Sequence, residues 1–234
     1  MRRARILGFD VRFQFRYGFY FLYLMVSLAY IAILSFIPAP YVRWAASIII
    51  LSDPAALGFF FVGGMLLLEK GEGLHDYWAI LPASTRDYVW AKALSLAMIS
   101  SLVGALIAGV VLRHDVNYPL LLMGLVIGAS IFTCFGIVVG SMARSVNHFF
   151  FLGVPVGAFL MGPTFLVFLE SSPPAIEILP ATLLFRVIIG ALGLATPYPV
   201  AWAFIGLAVW CVPAFLLADG AFARSITRGG GEVS

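Results

Sequence analysis

The chain has 234 residues, 62% of them hydrophobic and 11% charged, with a mean hydropathy of +1.05 and a formal charge of +3. A soluble domain carries about 25% charged residues, so this composition excludes a soluble globular protein and marks an integral membrane protein. The apolar runs are continuous for about 20 residues rather than alternating over about 10, which favours spanning helices over a β-barrel.

Residues 1–16 carry Arg2, Arg3, Arg5, Arg12 and Arg16 against one acid, Asp10. On a helix Arg5, Arg12 and Arg16 form one stripe and Leu7, Val11 and Phe15 another. This predicts an amphipathic helix lying on an anionic leaflet, with arginines reaching to phosphates. The plainer reading, flanking charge ahead of a span, stands beside it. The first span is predicted over 17–37, too long for the apolar core of a cleaved signal peptide.

Ser52-Asp53-Pro54 has the form of a helix start, with a capping side chain before a proline. The second span is therefore expected over 54–68, with Asp53 as a cap at the membrane surface and Tyr41–Leu51 interfacial or extending the helix. An intramembrane carboxylate is the competing reading. Spans over 88–112, 118–142, 149–169 and 200–218 follow, for six in all. Gly124, Gly128, Gly136 and Gly140 recur at four-residue spacings in two pairs, a pattern that favours close helix contact. Pro155 and Pro163 predict kinks in the fifth span. Ala181–Leu194 is apolar but too short to cross among its flanking prolines, and is expected as a re-entrant or interfacial helix. The fold class is thus all-α integral membrane: an interfacial helix (1–16), a six-span domain (17–220) and a tail (221–234).

Six spans put both termini on one side. With the termini inside, the inner segments hold Arg2, Arg3, Arg5, Arg12, Arg16, Lys70, Arg86, Lys92, Arg144, Arg224 and Arg228, and the outer ones only Arg43, Arg113 and Arg186. Eleven of 14 basic residues then obey the positive-inside rule, which predicts a multi-pass cell-membrane protein with cytoplasmic termini.

Between spans 2 and 3 lies a charged island, Leu66–Leu94. It holds Glu69, Lys70, Glu72, His75, Asp76, Arg86, Asp87 and Lys92. Charge is costly in lipid, so the island is expected to face water, on the cytoplasmic side by the same count. Its signs nearly cancel, unlike a basic lipid-binding patch. With Leu74, Tyr77, Trp78 and Ile80 among the charges, it reads as a docking surface for another protein.

Chemistry is sparse elsewhere. His75, His114 and His148 sit in loops or at span ends, and no HExxH motif is present for a zinc protease. A phosphate-binding GxxxxGK[ST] loop is absent. Asp53 and Asp219 are expected near opposite faces of the membrane, which leaves no aspartyl-protease pair. Cys134 and Cys211 fall inside apolar runs without metal-ligand spacing and read as reduced packing residues. Spans 1, 3, 4 and 5 have no charged residue at their centres, so energy for uphill transport is expected to enter through the island. A membrane-embedded enzyme, or a stand-alone channel or secondary carrier, remains an alternative.

The run Gly63-Gly64-Met65-Leu66-Leu67-Leu68-Glu69-Lys70-Gly71-Glu72-Gly73, then Leu81-Pro82-Ala83-Ser84, Asp87-Tyr88 and Ala91-Lys92-Ala93-Leu94, resembles the loop between spans 2 and 3 of type-2 ABC exporter permeases. Within that class it looks like the permease subunits of bacterial fluoroquinolone exporters. The resemblance implies a permease subunit without a cofactor of its own, ATP and Mg being held by separate ATPase subunits. It implies a second permease chain, identical or paralogous, membrane lipids and a small-molecule substrate as further partners, and no nucleic acid. Substrate would pass between the permeases along spans 1, 2 and 5. The coupling loop would comprise Glu69, Lys70, Gly71, Glu72, Gly73, Leu74, His75, Asp76, Tyr77, Trp78 and Pro82, with a short docking helix around Gly71–Ile80. Arg5, Arg12 and Arg16 would be the interfacial anchor.

Overall fold

In a computed structural model, which describes residues 2–73, 84–113, 115–169 and 173–229, the protein is helical throughout, with no strand among the described residues. The elements are α1 (Arg2–Arg16), α2 (Phe19–Ser35), α3 (Ala39–Ser52), a π-turn (Asp53–Leu57), α4 (Gly58–Gly71), α5 (Thr85–Val111), α6 (Tyr118–Met142), α7 (Val146–Met161), α8 (Pro180–Ala191) and α9 (Val200–Gly229). Two 3₁₀ segments, Gly162–Phe168 and Pro174–Ile178, join α7 to α8. Among the described residues five helical segments are long and apolar enough to cross a membrane. They become six if α1 and α2 count as one span, bent by 65° at their junction. The bend falls at Gly18, whose φ of +74° lies in the left-handed region that glycine enters without penalty.

The second span departs from expectation. Ala39–Gly71 is one helical run of 33 residues. The Ser-Asp-Pro sequence does not start a helix. It is absorbed by a π-turn in which the Gly58 N–H donates to the Asp53 carbonyl, and Ser52 makes no capping bond. A π-turn adds one residue to the ring and so accommodates a proline without ending the helix. Asp53 is therefore not a surface cap. It is fully buried inside the span.

Helix α6 forms the centre, with 67% of its most apolar stretch buried, against 22% for α7 with its 3₁₀ extension and 17% for α9. Its glycine pairs serve two neighbours. A Cβ at Gly124 or Gly128 would strike Val187 or Leu184 of α8, and one at Gly136 or Gly140 would strike Val62 or Leu66 of α4. Close backbone approach on both halves of one helix is what small residues at four-residue spacing permit.

The short helix α8 is buried along almost its entire length. It dips into the bundle against α3, α6 and α9, as a re-entrant element does. Pro155 is carried inside α7, while Gly162-Pro163 converts the segment to 3₁₀ geometry. The last helix runs to Gly229, past the expected end of the span at 218, so the first part of the expected tail belongs to the bundle: Phe222 is fully buried and stacks on Tyr88 of α5 with centroids 4.0 Å apart.

At the end of the bundle away from the charged island, two clusters tie the connections down. Arg43 of α3 pairs with Asp115 at 2.8 Å and donates to the Leu192 carbonyl at 2.8 Å. Glu177 accepts two hydrogen bonds from Arg186, whose Nε lies at 3.2 Å, and one from the Tyr198 hydroxyl at 2.7 Å. Burial pushes the Glu177 carboxyl up, but the Arg186 and Tyr198 hydrogen bonds and the guanidinium charge outweigh it and hold the group below its ordinary 4.5. Burial and the bond to Glu177 raise the Tyr198 phenol, which stays protonated.

Two outcomes follow from this packing. Gly136→Ala places a Cβ 2.5 Å from the Phe59 carbonyl oxygen, a backbone atom that cannot swing away. Overpacking of this kind costs about 1–3 kcal/mol, read as a lower unfolding temperature in detergent. Gly64→Ala, which meets nothing within 4 Å, leaves that temperature unchanged or raises it. Because the folded Glu177 prefers its ionised form, the stability it contributes is present above its ordinary range and lost as pH falls through and below it. Thermal unfolding of Glu177→Gln is expected to be weaker than wild type at neutral pH and to lose less on acidification.

Candidate coupling site

The charged island begins where α4 ends. Helix propensity carries the chain through Lys70, and Gly73, with φ of +70°, turns it out in the left-handed conformation. The described residues resume at Ser84, whose hydroxyl caps α5 by accepting from the Asp87 N–H at 3.2 Å. Of the expected coupling residues, Leu74, His75, Asp76, Tyr77, Trp78 and Pro82 lie outside the described residues. The two roots of the loop are described, and they carry the polar chemistry.

Glu69 and Lys92 do not face water. They are 3% and 1% exposed and form an ion pair at 2.6 Å. Lys92 also pairs with Asp10 of α1, which is 4% exposed. Every carboxylate oxygen in this cluster has a partner. Tyr88 donates to the second oxygen of Glu69, Ser95 donates to that of Asp10, and Gln14 donates to Asp10 at 2.8 Å and to Ser95 at 2.8 Å. The Phe13 and Tyr88 rings flank the ammonium, with centroids 5.2 Å and 5.7 Å away. The expectation that the whole island faces solvent is thus corrected for Glu69 and Lys92. Burying these charges is tolerable because each is paired and hydrogen-bonded.

Lys70 takes another role. Half-buried, its ammonium donates to the carbonyls of Gly140, Ser141 and Ala143 at 3.2, 3.2 and 3.0 Å. These carbonyls lie at the C-terminus of α6, where a cation is favoured. On the other root, Thr85 donates to Asp219 of α9, and Arg86 donates to the same carboxylate at 3.1 Å. Gly71 and Glu72 are exposed at the tip of α4. The loop is therefore rooted in five helices: α1, α4, α5, α6 and α9.

On α1 the structure separates three faces. Asp10, Phe13 and Gln14 are buried against α5, and Arg5, Arg12 and Arg16 are exposed. Leu7 and Val11 are partly covered, and Phe15 is 72% exposed, free to face lipid. Asp10 and Gln14 were legible only as a polar break in the apolar stripe, and Asp10 emerges as the residue that locks α1 to the bundle.

An apolar cavity of about 460 Å³ lies on the opposite face of α5, between α5, α6 and α9, with Trp90, Cys134, Cys211 and Phe215 in its walls. It is not along spans 1, 2 and 5, where the resemblance places a substrate route. Both cysteines are free. No group of three or more His, Cys, Asp or Glu among the described residues is placed to hold a metal.

No protein-family model matches the chain. It is similar to the fluoroquinolones export permease proteins of two strains of Mycobacterium tuberculosis, CDC 1551 and H37Rv. Each is 28% identical over 164 residues, which span 69% of this chain and 68% of the relative. The resemblance to export permeases drawn from the loop residues is borne out. The apolar helices and this similarity together describe a multi-pass membrane protein.

Removing the cation alone strands two buried carboxylates. Lys92→Met is expected to cost about 3–5 kcal/mol, measured as a loss of thermal stability in detergent. Neutralising all three members, in Asp10→Asn/Glu69→Gln/Lys92→Met, is expected to recover most of that loss, because the penalty comes from the unpaired charges.

Proposed function

We propose that this chain is the membrane subunit of an ABC exporter, moving an amphipathic or hydrophobic compound with energy from ATP hydrolysed in a separate partner chain. The observation that carries the reading is the rooting of one charged loop in five helices at a single end of the bundle, in a chain similar to export permeases. A push on such a loop reaches most of the bundle at once, because packed helices shift as rigid bodies. In this reading the island is cytoplasmic, as the positive-inside count favours. Glu72, Tyr77 and Trp78 make the contact with the ATPase, and the root pairs pass the displacement to α4 and α5.

A second permease chain would complete the translocation path. The low burial of α7 and α9 within the single chain supports a partner there, with lipid covering the rest. The cargo is an amphipathic compound of the class the relatives are named for, fluoroquinolones. The apolar cavity between α5, α6 and α9, at about 460 Å³, falls within the range of about 300–1,000 Å³ usual for small-molecule pockets.

Co-purification tests the reading. The full chain, co-expressed with a candidate ABC ATP-binding subunit, is expected to retain that subunit and stimulate its ATPase. Glu72→Arg combined with Trp78→Ala is expected to lose both, while Arg43→Ala at the other end of the bundle keeps the complex. A double variant that retains complex and stimulation removes the docking assignment.

A further inference from the structure

Asp53 is fully buried in the long second span, 14 residues after Ala39 and 18 before Gly71. At 1.5 Å per residue it lies roughly 20 Å from the nearer helix end. Neither carboxylate oxygen has a hydrogen-bond partner, and Asp53 makes no ion pair among the described residues. The same is true of three hydroxyls at the centre of the bundle: Tyr23 of α2, Ser100 of α5 and Thr133 of α6. Ser100 stands beside both the Asp53 carboxyl group and the Tyr23 hydroxyl. Thr133 closes the wall one turn on, its Oγ1 3.8 Å from where a Cβ on Gly58 would stand.

This arrangement contrasts with the Lys92 cluster, where every carboxylate oxygen is satisfied. A bare carboxylate at this depth costs far more than its neighbours return, and no basic side chain among the described residues pairs with it, so a cation must come from outside the chain. The polar side chains named around it offer oxygen atoms, which suit a small hard ion and not a soft one. The backbone changes from α to π geometry at the same residue. Such interruptions accompany functional sites, and broken helices accompany ion sites at mid-membrane.

We propose that Asp53, with the hydroxyls of Tyr23 and Ser100, forms a small-cation site inside the membrane domain, taking either an alkali-metal ion or a proton. The bound cation neutralises the closed state seen here, and movement at the π-turn opens the site for exchange. Occupancy of the site therefore biases the shape of the long second span, independently of whether an ATPase docks at the loop.

The purified full-length chain and Asp53→Asn are compared in two measurements. One is equilibrium binding of radiolabelled sodium. The other is infrared spectroscopy for the carbonyl stretch of a neutral carboxylic acid, identified by its shift in heavy water. Saturable sodium binding that Asp53→Asn abolishes assigns an alkali-ion site. A neutral-carboxyl band that Asp53→Asn abolishes assigns a proton site. A wild-type protein with neither signal, or with signals that survive Asp53→Asn, overturns the proposal. If Asp53→Asn does not fold, Tyr23→Phe and Ser100→Ala, which keep the carboxylate, report in its place. Loss of one liganding hydroxyl is expected to weaken sodium binding about tenfold, or to shift the carboxyl band. No change in either variant overturns the proposal as well. Since none of these readouts involves an ATPase, their failure is distinct from failure of the docking assignment.

Discussion

The shortage of water inside the bundle governs this structure. A charge placed there survives only if the chain itself answers it, and at Lys92 the answer comes from three helices far apart in sequence. Asp10 arrives from α1 and Glu69 from α4, while Tyr88, Ser95 and Gln14 occupy the remaining lone pairs. The cluster has little to recommend it as a source of net stability, since an apolar substitute of the same shape often does as well. What it supplies is exclusivity of geometry. A shift of α1 along α5 would separate Asp10 from both Lys92 and Ser95, so the pairing favours one seat for α1.

That seat explains why the loop and the N-terminal helix belong to one device. Lys70 holds the end of α6, Asp219 of α9 holds the start of α5, and Tyr88 stacks on Phe222. None of these contacts is strong alone. Together they make the chain on either side of the loop stiff, whereas the exposed tip at Gly71 and Glu72 carries no such ties among the described residues. A stiff base beneath a presented tip is the mechanical requirement for receiving a push. The opposite end of the bundle is held differently, by carbonyl-directed and bidentate arginine contacts from Arg43 and Arg186.

Much of this was legible in the residues. Long apolar runs specify spanning helices because the bilayer leaves the backbone no other choice. The glycine spacing on α6 foretold close contact, though not that its two pairs address different helices. Asp53 was misread because Ser-Asp-Pro is locally a cap, and only tertiary packing decides that the chain continues through it as a π-turn. Glu69 and Lys92 were assigned to water because their partners are 23 and 82 residues from Lys92, at Glu69 and Asp10, separations at which sequence carries no pairing signal. The burial of α8 was likewise hidden: a short apolar helix between prolines reads the same on a bilayer surface as inside a bundle.

The bend at Gly18 has a consequence beyond topology. It sets α1 at 65° to α2 and leaves Arg5, Arg12 and Arg16 outward while Asp10 stays fixed to Lys92. With α1 on an anionic leaflet, each arginine is drawn to the surface by about 1 kcal/mol, for a combined pull on the order of the energy that keeps a buried ion pair seated. With α1 so placed, the headgroup composition of the leaflet would bear on a lysine buried inside the bundle, through the one helix that carries both the arginines and Asp10.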